Sequence, residues 1–504
     1  MMKNKILFVL VCLATIASCG CDKKRELPPV DPVEIPRYST GLSMSSTLLN
    51  RVVKYDILLP EGYNDNPDKR YPVMYCFHGW GDSNTSWNGT YMSCEATIKS
   101  LERKGLEPMI YVFPNAWKTY WVDRFDGSFP YMTMLVEEFI PMIDRTYRTL
   151  ADREHRGTIG YSMGGFGSMA VAMKHPELFS MSAPLSMSFR TDEQYMAESQ
   201  SGWDNQWGIN FGGVGESGEG RLTDYYKSLC PLHQFTAENY DKYSSVYWFL
   251  TCGDNEKQLL IANDDLHVMM RRNGYAHQYR VGDGGHSTSY WKAALTEILP
   301  YFSALMAGET SWQFADKEVD VPEGCEFTED GAFLSEAYTA AGKQGGMALF
   351  IAYEGVEPAL IKDAMAILQR GVSKVKRFVL LPCDLDSKTL PEWMSYYQDI
   401  YPTDDMQVFA IGNAGKPAFQ SQGSFSALYF EDALLPEVLN VNTQKFYYIG
   451  QSDEATNYAS ANALYKACKL DGASFEYRCR NHLNDVRQDF LYGIELLKSN
   501  LHNF

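Results

Sequence analysis

Ser162 lies in Gly160-Tyr161-Ser162-Met163-Gly164, a G-x-S-x-G pattern. HRGTIGYS before it reads as a strand, and GGFGSMAVAMKHP after it reads as a helix. A serine on a sharp strand-to-helix turn exposes its Oγ above the end of a sheet, and the flanking glycines let neighbouring backbone come close. The amide of Met163 then points toward an oxyanion forming beside the positive end of the helix. Such a serine can run acyl transfer if a base and an acid stand within reach.

The base expected after the last strand is His286, in the Gly-rich loop of RVGDGGHSTSYW. A neutral imidazole there takes the serine proton and later returns it to the leaving group. His155 precedes the nucleophile strand, His175 precedes Pro176 at a helix end, and His267 falls within a helix. His78, in MYCFHGWGD, comes too early for the order Ser, acid, His. It reads as a loop-fixing residue, while the Gly79-Trp80 turn offers a second oxyanion amide, that of Trp80. The acid comes from TCGDNEKQ, which holds both Asp254 and Glu256. Glu256 is the first choice, on the internal repeat described below, and Asp254 is the alternate.

These groups need a sheet to hold them. From about Arg51 to Ala307, strand-like runs (VVKYDILLP, YPVMYCFHG, PMIYVFP, VYWFLTCG, HQYRV) alternate with helix-like ones (SCEATIKSLERKG, YMTMLVEEFIPMIDRTY, LLIANDDLHVMMRRNG). That alternation predicts an α/β fold, a mostly parallel sheet with helices on both faces. Residues 200–220, rich in Gly with Trp203, Trp207 and Phe211, read as an irregular insertion.

The second half repeats the first. CEATIKSLERKGLEPMIYVFP matches LIKDAMAILQRGVSKVKRFVLLP, and RGTIGYSMGG matches MQVFAIGNAGK. VYWFLTCGDNE matches KFYYIGQSDEA, and LHVMMRRNGYAHQYRV matches NALYKACKLDGASFEYRC, all in the same order. The alignment sets Asp453 opposite Glu256 and Ala414 opposite Ser162. Asp453 and His482 stand near the acid and base positions, but without a nucleophile they cannot run acyl transfer. The expected domains are a signal at 1–18, a Pro-rich tether at 19–39, a catalytic domain at 40–308 and a degenerate, non-catalytic copy at 311–504.

The ends and the composition limit the remaining classes. Lys3 and Lys5 precede a short apolar run ending in Ile16-Ala17-Ser18-Cys19, which resembles a bacterial lipobox with Cys19 as the acylated residue. The expectation is an exported lipoprotein, periplasmic or at the cell surface, on the membrane through a lipid anchor only. A net charge of −18 offers no electrostatic footprint for nucleic acid. Outside the signal the cysteines are scattered without metal-ligand spacing, so no metal or cofactor is expected. Cys76 and Cys252, inside apolar strands, read as buried thiols.

YDILLPEGY, YPVMYCFHGWGD, EEFIPMIDRTYRT, HRGTIGYSMGGFGSMAVAMKHPELF, CGDNE and GGHSTSYW together resemble the esterase D and feruloyl esterase group of α/β-hydrolases, which overlaps the carbohydrate esterases. The resemblance covers roughly Thr40 to Ala307. It implies an α/β-hydrolase fold, a triad of Ser162, Glu256 and His286, and oxyanion amides at Met163 and Gly79-Trp80. It implies an acylated plant-wall glycan such as xylan, or a small phenolic ester, as substrate, with feruloyl or acetyl as the acyl group. Two departures stand out: the family usually has Asp at Glu256, and Asp after the histidine of GGHSTSYW. Trp80, Trp87, Trp117, Trp121, Trp203 and Trp207 are candidates for stacking on phenolic or sugar rings. An acyltransferase using the same triad and a non-catalytic glycan-binding lipoprotein are the alternatives.

Overall fold

The computed structural model describes residues 34–309 apart from Thr90, and residues 321–501 apart from 322–326, 330–332, 336–346, 355, 370–374, 383–388, 401–404, 452–457 and 481–485. The expected signal, Cys19 and the tether up to residue 33 lie outside the described residues, as do Asp453 and His482.

The first half contributes β1 (Tyr38–Ser46), β2 (Arg51–Leu58), β3 (Val73–Phe77), β4 (Ile110–Pro114), β5 (Arg156–Tyr161), β6 (Met181–Leu185), β7 (Tyr247–Gly253) and β8 (His277–Gly282). They order as β1-β2-β4-β3-β5-β6-β7-β8, the α/β-hydrolase order. β2 is antiparallel to its neighbours and the strands from β4 to β8 are parallel. β3, β4 and β5 are buried along their whole length, which is why they read as continuous apolar runs.

Three local features differ from the sequence expectation. β1 begins at Tyr38, inside the stretch read as tether. β6 was not anticipated, because it is short and carries Pro184, and a proline lacks the donor a central strand needs. It pairs with β7 through Met181, Ser182 and Leu185, so the missing N–H falls in a gap of that ladder. The insertion after residue 200 is not irregular. It folds into short helical turns at Gln200–Gly202, Trp203–Trp207, Gly208–Phe211 and Gly218–Arg221. Arg221 ties it down by donating to the carbonyls of Tyr195 (3.0 Å) and Glu198 (2.6 Å).

The second half adds β9 (Phe327–Glu329), β10 (Phe333–Ser335), β11 (Met347–Glu354), β12 (Val375–Pro382), β13 (Asp405–Gly412), β14 (Ala427–Glu431), β15 (Phe446–Gln451) and β16 (Ser474–Arg480). Reading inward from its outer edge, the order is β9-β10-β12-β11-β13-β14-β15-β16, the same pattern as the first half. Each half packs its own core. One gathers around Cys76, Trp87, Tyr161 and Trp291, the other around Ile351, Met365, Phe409 and Tyr448. The two halves nevertheless share one sheet of sixteen described strands. β8 pairs antiparallel with β16, Val281 opposite Cys479 and Arg280 opposite Arg480. In the alignment of HQYRV with FEYRC, Val281 and Cys479 are equivalent residues. The junction is therefore a local two-fold axis passing between matching strands.

Candidate active site

Ser162 closes β5 and opens the helix Met163–Lys174, with φ 58° and ψ −120°. For a residue with a Cβ this backbone is strained, and surrounding structure must hold it. The flanking glycines show how. A Cβ on Gly160 would stand 2.0 Å from the Gly164 carbonyl oxygen, and one on Gly164 would stand 2.1 Å from that of Phe77. The turn closes only because both positions lack side chains. The Ser162 amide donates to Leu185 O (2.9 Å), and its carbonyl accepts from the Ser188 amide (2.9 Å). The serine thus hangs from the end of β6.

The His286 Nε2 is 2.9 Å from Ser162 Oγ, and its Nδ1 is 2.7 Å from Glu256 Oε2. A carboxylate only accepts, so Nδ1 carries the proton and Nε2 is free to accept from the serine hydroxyl. Trp291 packs edge-on against the imidazole, ring centroids 5.0 Å apart. The Glu256 side chain is fully buried. Its Oε1 accepts from the Gly253 amide (3.0 Å) and from the Ser186 hydroxyl, which in turn accepts from Trp291 Nε1 (2.8 Å).

Of the two candidate acids, Glu256 is the one beside His286. Asp254 turns the other way, across the junction. It meets Arg478 Nη1 at 2.7 Å and accepts from the Gly284 amide at 3.2 Å. The Tyr465 hydroxyl, also from the second half, donates to the carbonyls of Asp254 and Lys257, each at 3.3 Å. The second half therefore braces both ends of the short turn that carries Glu256.

His78 is fully buried at the end of β3. Its Nε2 accepts from the Ala116 amide (2.9 Å), and its Nδ1 donates to Gly79 O (2.8 Å). Burial holds it neutral, with a pKa pushed down to about 4. It shapes the Gly79-Trp80 turn. A Cβ on Gly79 would meet the Tyr161 ring at 2.8 Å, so the turn lies against the residue preceding Ser162. Met163 is the first residue of its helix, where backbone amides have no partner within the helix.

The aromatic candidates divide by burial. Trp87, Trp121, Trp203 and Trp207 are at most 1% exposed and belong to the core. Trp80 and Trp117 are partly exposed. Trp80 stacks loosely on Tyr120 (5.5 Å), which packs on Trp207 (4.7 Å). Cys76 and Cys252 are buried and free. Residues that the sequence did not announce are Ser186, Arg478 and Tyr465. Ser186 follows the unanticipated β6, and the other two act from far along the chain.

In the second half, Ala414 stands after β13 with φ −67° and ψ −13°, an ordinary helical backbone. The strained elbow is absent where the serine is absent.

The Esterase family model matches residues 45–302. An endo-1,4-beta-xylanase/feruloyl esterase of Xylanibacter ruminicola is 32% identical over 135 residues, 25% of this chain and 18% of that one. A Mycobacterium tuberculosis esterase is 27% identical over 252 residues, 46% of this chain and 52% of that one. The chain thus spans about half the length of one curated relative and less than a fifth of the other. Among solved structures, a ferulic acid esterase aligns with a TM-score of 0.45 and 27% identity, over 53% of this chain and 98% of that one. A feruloyl esterase module from Clostridium thermocellum, complexed with sinapinate, aligns with a TM-score of 0.38 and 18% identity, over 53% and 88%.

Proposed function

From the premise that this chain belongs to the Esterase family, we propose that it is a serine carboxylic ester hydrolase that removes feruloyl or acetyl groups from a plant-wall polysaccharide such as xylan. The observation that carries this reading is the continuous chain of contacts from Ser162 through His286 to Glu256.

In the first step His286 Nε2 takes the proton of Ser162 as Oγ attacks the ester carbonyl. Glu256 holds the imidazole in the required tautomer and stabilises the imidazolium. The amides of Met163 and Trp80 receive the oxyanion, and the sugar hydroxyl leaves with the proton from His286. Water, activated by the same histidine, then releases the acid and restores the serine. Trp80, partly exposed beside the serine turn, suits an aromatic acyl group.

The test is turnover of methyl ferulate and of acetylated xylan by the protein and by Ser162→Ala. Hydrolysis of at least one by the wild type, with loss of at least a thousandfold on substitution, is expected. Turnover that survives Ser162→Ala would sink the site, and release of no acid from either substrate would sink the reaction.

A further inference from the structure

A cavity opens beside the Glu256 turn, and the second half helps to form it. It has a volume of about 560 Å³ and is lined by Arg190, Lys257 and Lys469, with Glu256 as its one carboxylate and Leu259 and Leu470 among its apolar residues. Lys469 lies on the helix Tyr458–Asp471 of the second half. Among the described residues none of the three cations has an ion-pair partner. The nearby carboxylates are committed elsewhere, Glu256 to His286 and Asp254 to Arg478. Partial burial lowers the Lys469 pKa, and the nearby Lys257 charge adds to the fall, against the opposing pull of Asp254. The Arg190 Nε is buried without a hydrogen-bond partner. An unpartnered buried donor is costly unless something accepts from it.

Lys257 also has an unusual backbone. Its φ of 55° and ψ of −121° nearly repeat those of Ser162, on the turn between β7 and the helix Gln258–Arg272. The strain is retained at the position that lines the cavity. Arg190 links the cavity to the serine. It follows Ser188, whose amide binds the Ser162 carbonyl, and its guanidinium lies 5.4 Å from the Trp207 ring in the aromatic group beside Trp80.

We propose that this cavity is a binding subsite for an anionic sugar of the substrate glycan, a hexuronate whose carboxylate is held by Arg190, Lys257 and Lys469. The subsite rests on the esterase reading and assigns the substrate's alcohol side an acidic branch. On a chain of net charge −18 it is a local cationic exception, so it concentrates anions where the rest of the surface repels them. Leu259 and Leu470 give the apolar face of a sugar ring something to rest on.

Acetylated xylotetraose, with and without one glucuronic acid branch, is the paired substrate. The ratio of kcat/KM, branched over unbranched, is expected to reach about tenfold in the wild type. It should fall toward one in Lys469→Gln and recover in Lys469→Arg. Calorimetry of Ser162→Ala with the unacetylated tetraoses reads the same preference without turnover. Equal binding of the two sugars overturns the subsite whether or not the ester is cleaved. A binding preference without turnover of either substrate or of methyl ferulate supports the subsite and overturns the esterase reading. Competition by glucuronate at matched ionic strength supports a carboxylate, and competition by glucose 6-sulfate alone overturns that choice.

Discussion

Glu256 and Asp254 are two residues apart and have opposite tasks. Glu256 faces a histidine and two further donors, the Gly253 amide and the Ser186 hydroxyl, whereas Asp254 faces an arginine of the other half. Their amides serve different purposes too: Glu256 N closes the turn onto Gly253 O (3.2 Å), and Asp254 N donates to Gly282 O (3.0 Å) at the end of β8. Replacing each by its amide separates the roles. Glu256→Gln keeps the shape but loses the charge that selects the His286 tautomer, so kcat should fall by about a thousandfold or more with folding intact. Asp254→Asn removes the buried one of the two carboxylates close to Arg478, Glu476 remaining at 2.6 Å, and the lost charged hydrogen bond costs about 1–3 kcal/mol of stability. Its residual kcat should exceed that of Glu256→Gln under conditions where both remain folded. Steady-state kinetics beside urea unfolding checks this, and the reverse ranking of kcat would exchange the two assignments.

At the scale of elements, the helix Gln258–Arg272 works on both sides of the junction. Its Asp264 is buried and accepts from the Tyr477 hydroxyl of β16 at 2.9 Å. Burial, more than its neighbour Asp265, raises the Asp264 pKa to about 7. The folded chain therefore holds a proton that the unfolded chain, titrating near pH 4, releases. This carboxyl makes stability fall as pH rises from about 4 to about 7, by at most about 1.4 kcal/mol per unit. One turn on, His267 Nδ1 lies 2.8 Å from His277 Nε2. Burial lowers both pKa values, that of His277 to about 3. These imidazoles act oppositely: their stability is present above about pH 6.5 and is lost as pH falls toward their folded values. Asp264→Asn should remove the loss of stability on going from pH 5 to pH 8. Urea midpoints that shift equally with pH in variant and wild type would refute it. The helix and the strands β7 and β8 beside it were legible in the sequence, because apolar helical spacing and the runs VYWFLTCG and HQYRV do not depend on tertiary context. β6 was not, since Pro184 argues against a central strand when pairing is unseen. The insertion looked irregular because its order comes from burying Trp203, Trp207 and Phe211 against Tyr195 and Tyr120, contacts between distant segments. Within the site, Ser162 and His286 were legible from local motifs. The separation of Glu256 from Asp254 depends on Arg478, more than two hundred residues away, which no local pattern encodes.

For the whole molecule, the repeat in the sequence foretold a second sheet but not its fusion with the first. Edge pairing leaves little trace in composition, because β8 reads the same whether its neighbour is water or β16. The pairing has consequences for truncation. A chain ending at Glu309 would expose the edge of β8, strip Asp254 of Arg478, and leave Glu297 without Arg480, which lies 3.7 Å from it. Open edges recruit other strands. Such a fragment should self-associate more than the full chain in size-exclusion chromatography under the same conditions, and lose at least tenfold in kcat. A well-behaved, fully active fragment would show that the second half is dispensable to the first.

The matched pairing of Val281 with Cys479 is the contact that two identical subunits would make across an isologous interface. Here both partners belong to one polypeptide, so dilution cannot part them. Two separate subunits would each have to keep a working elbow, since one gene would encode both. Joined in tandem, the copies are free to diverge: one retains a strained serine, and the other can relax at Ala414 and still complete its neighbour. Covalent linkage across a symmetric seam thus lets the two halves differ at this turn while the shared sheet stays closed.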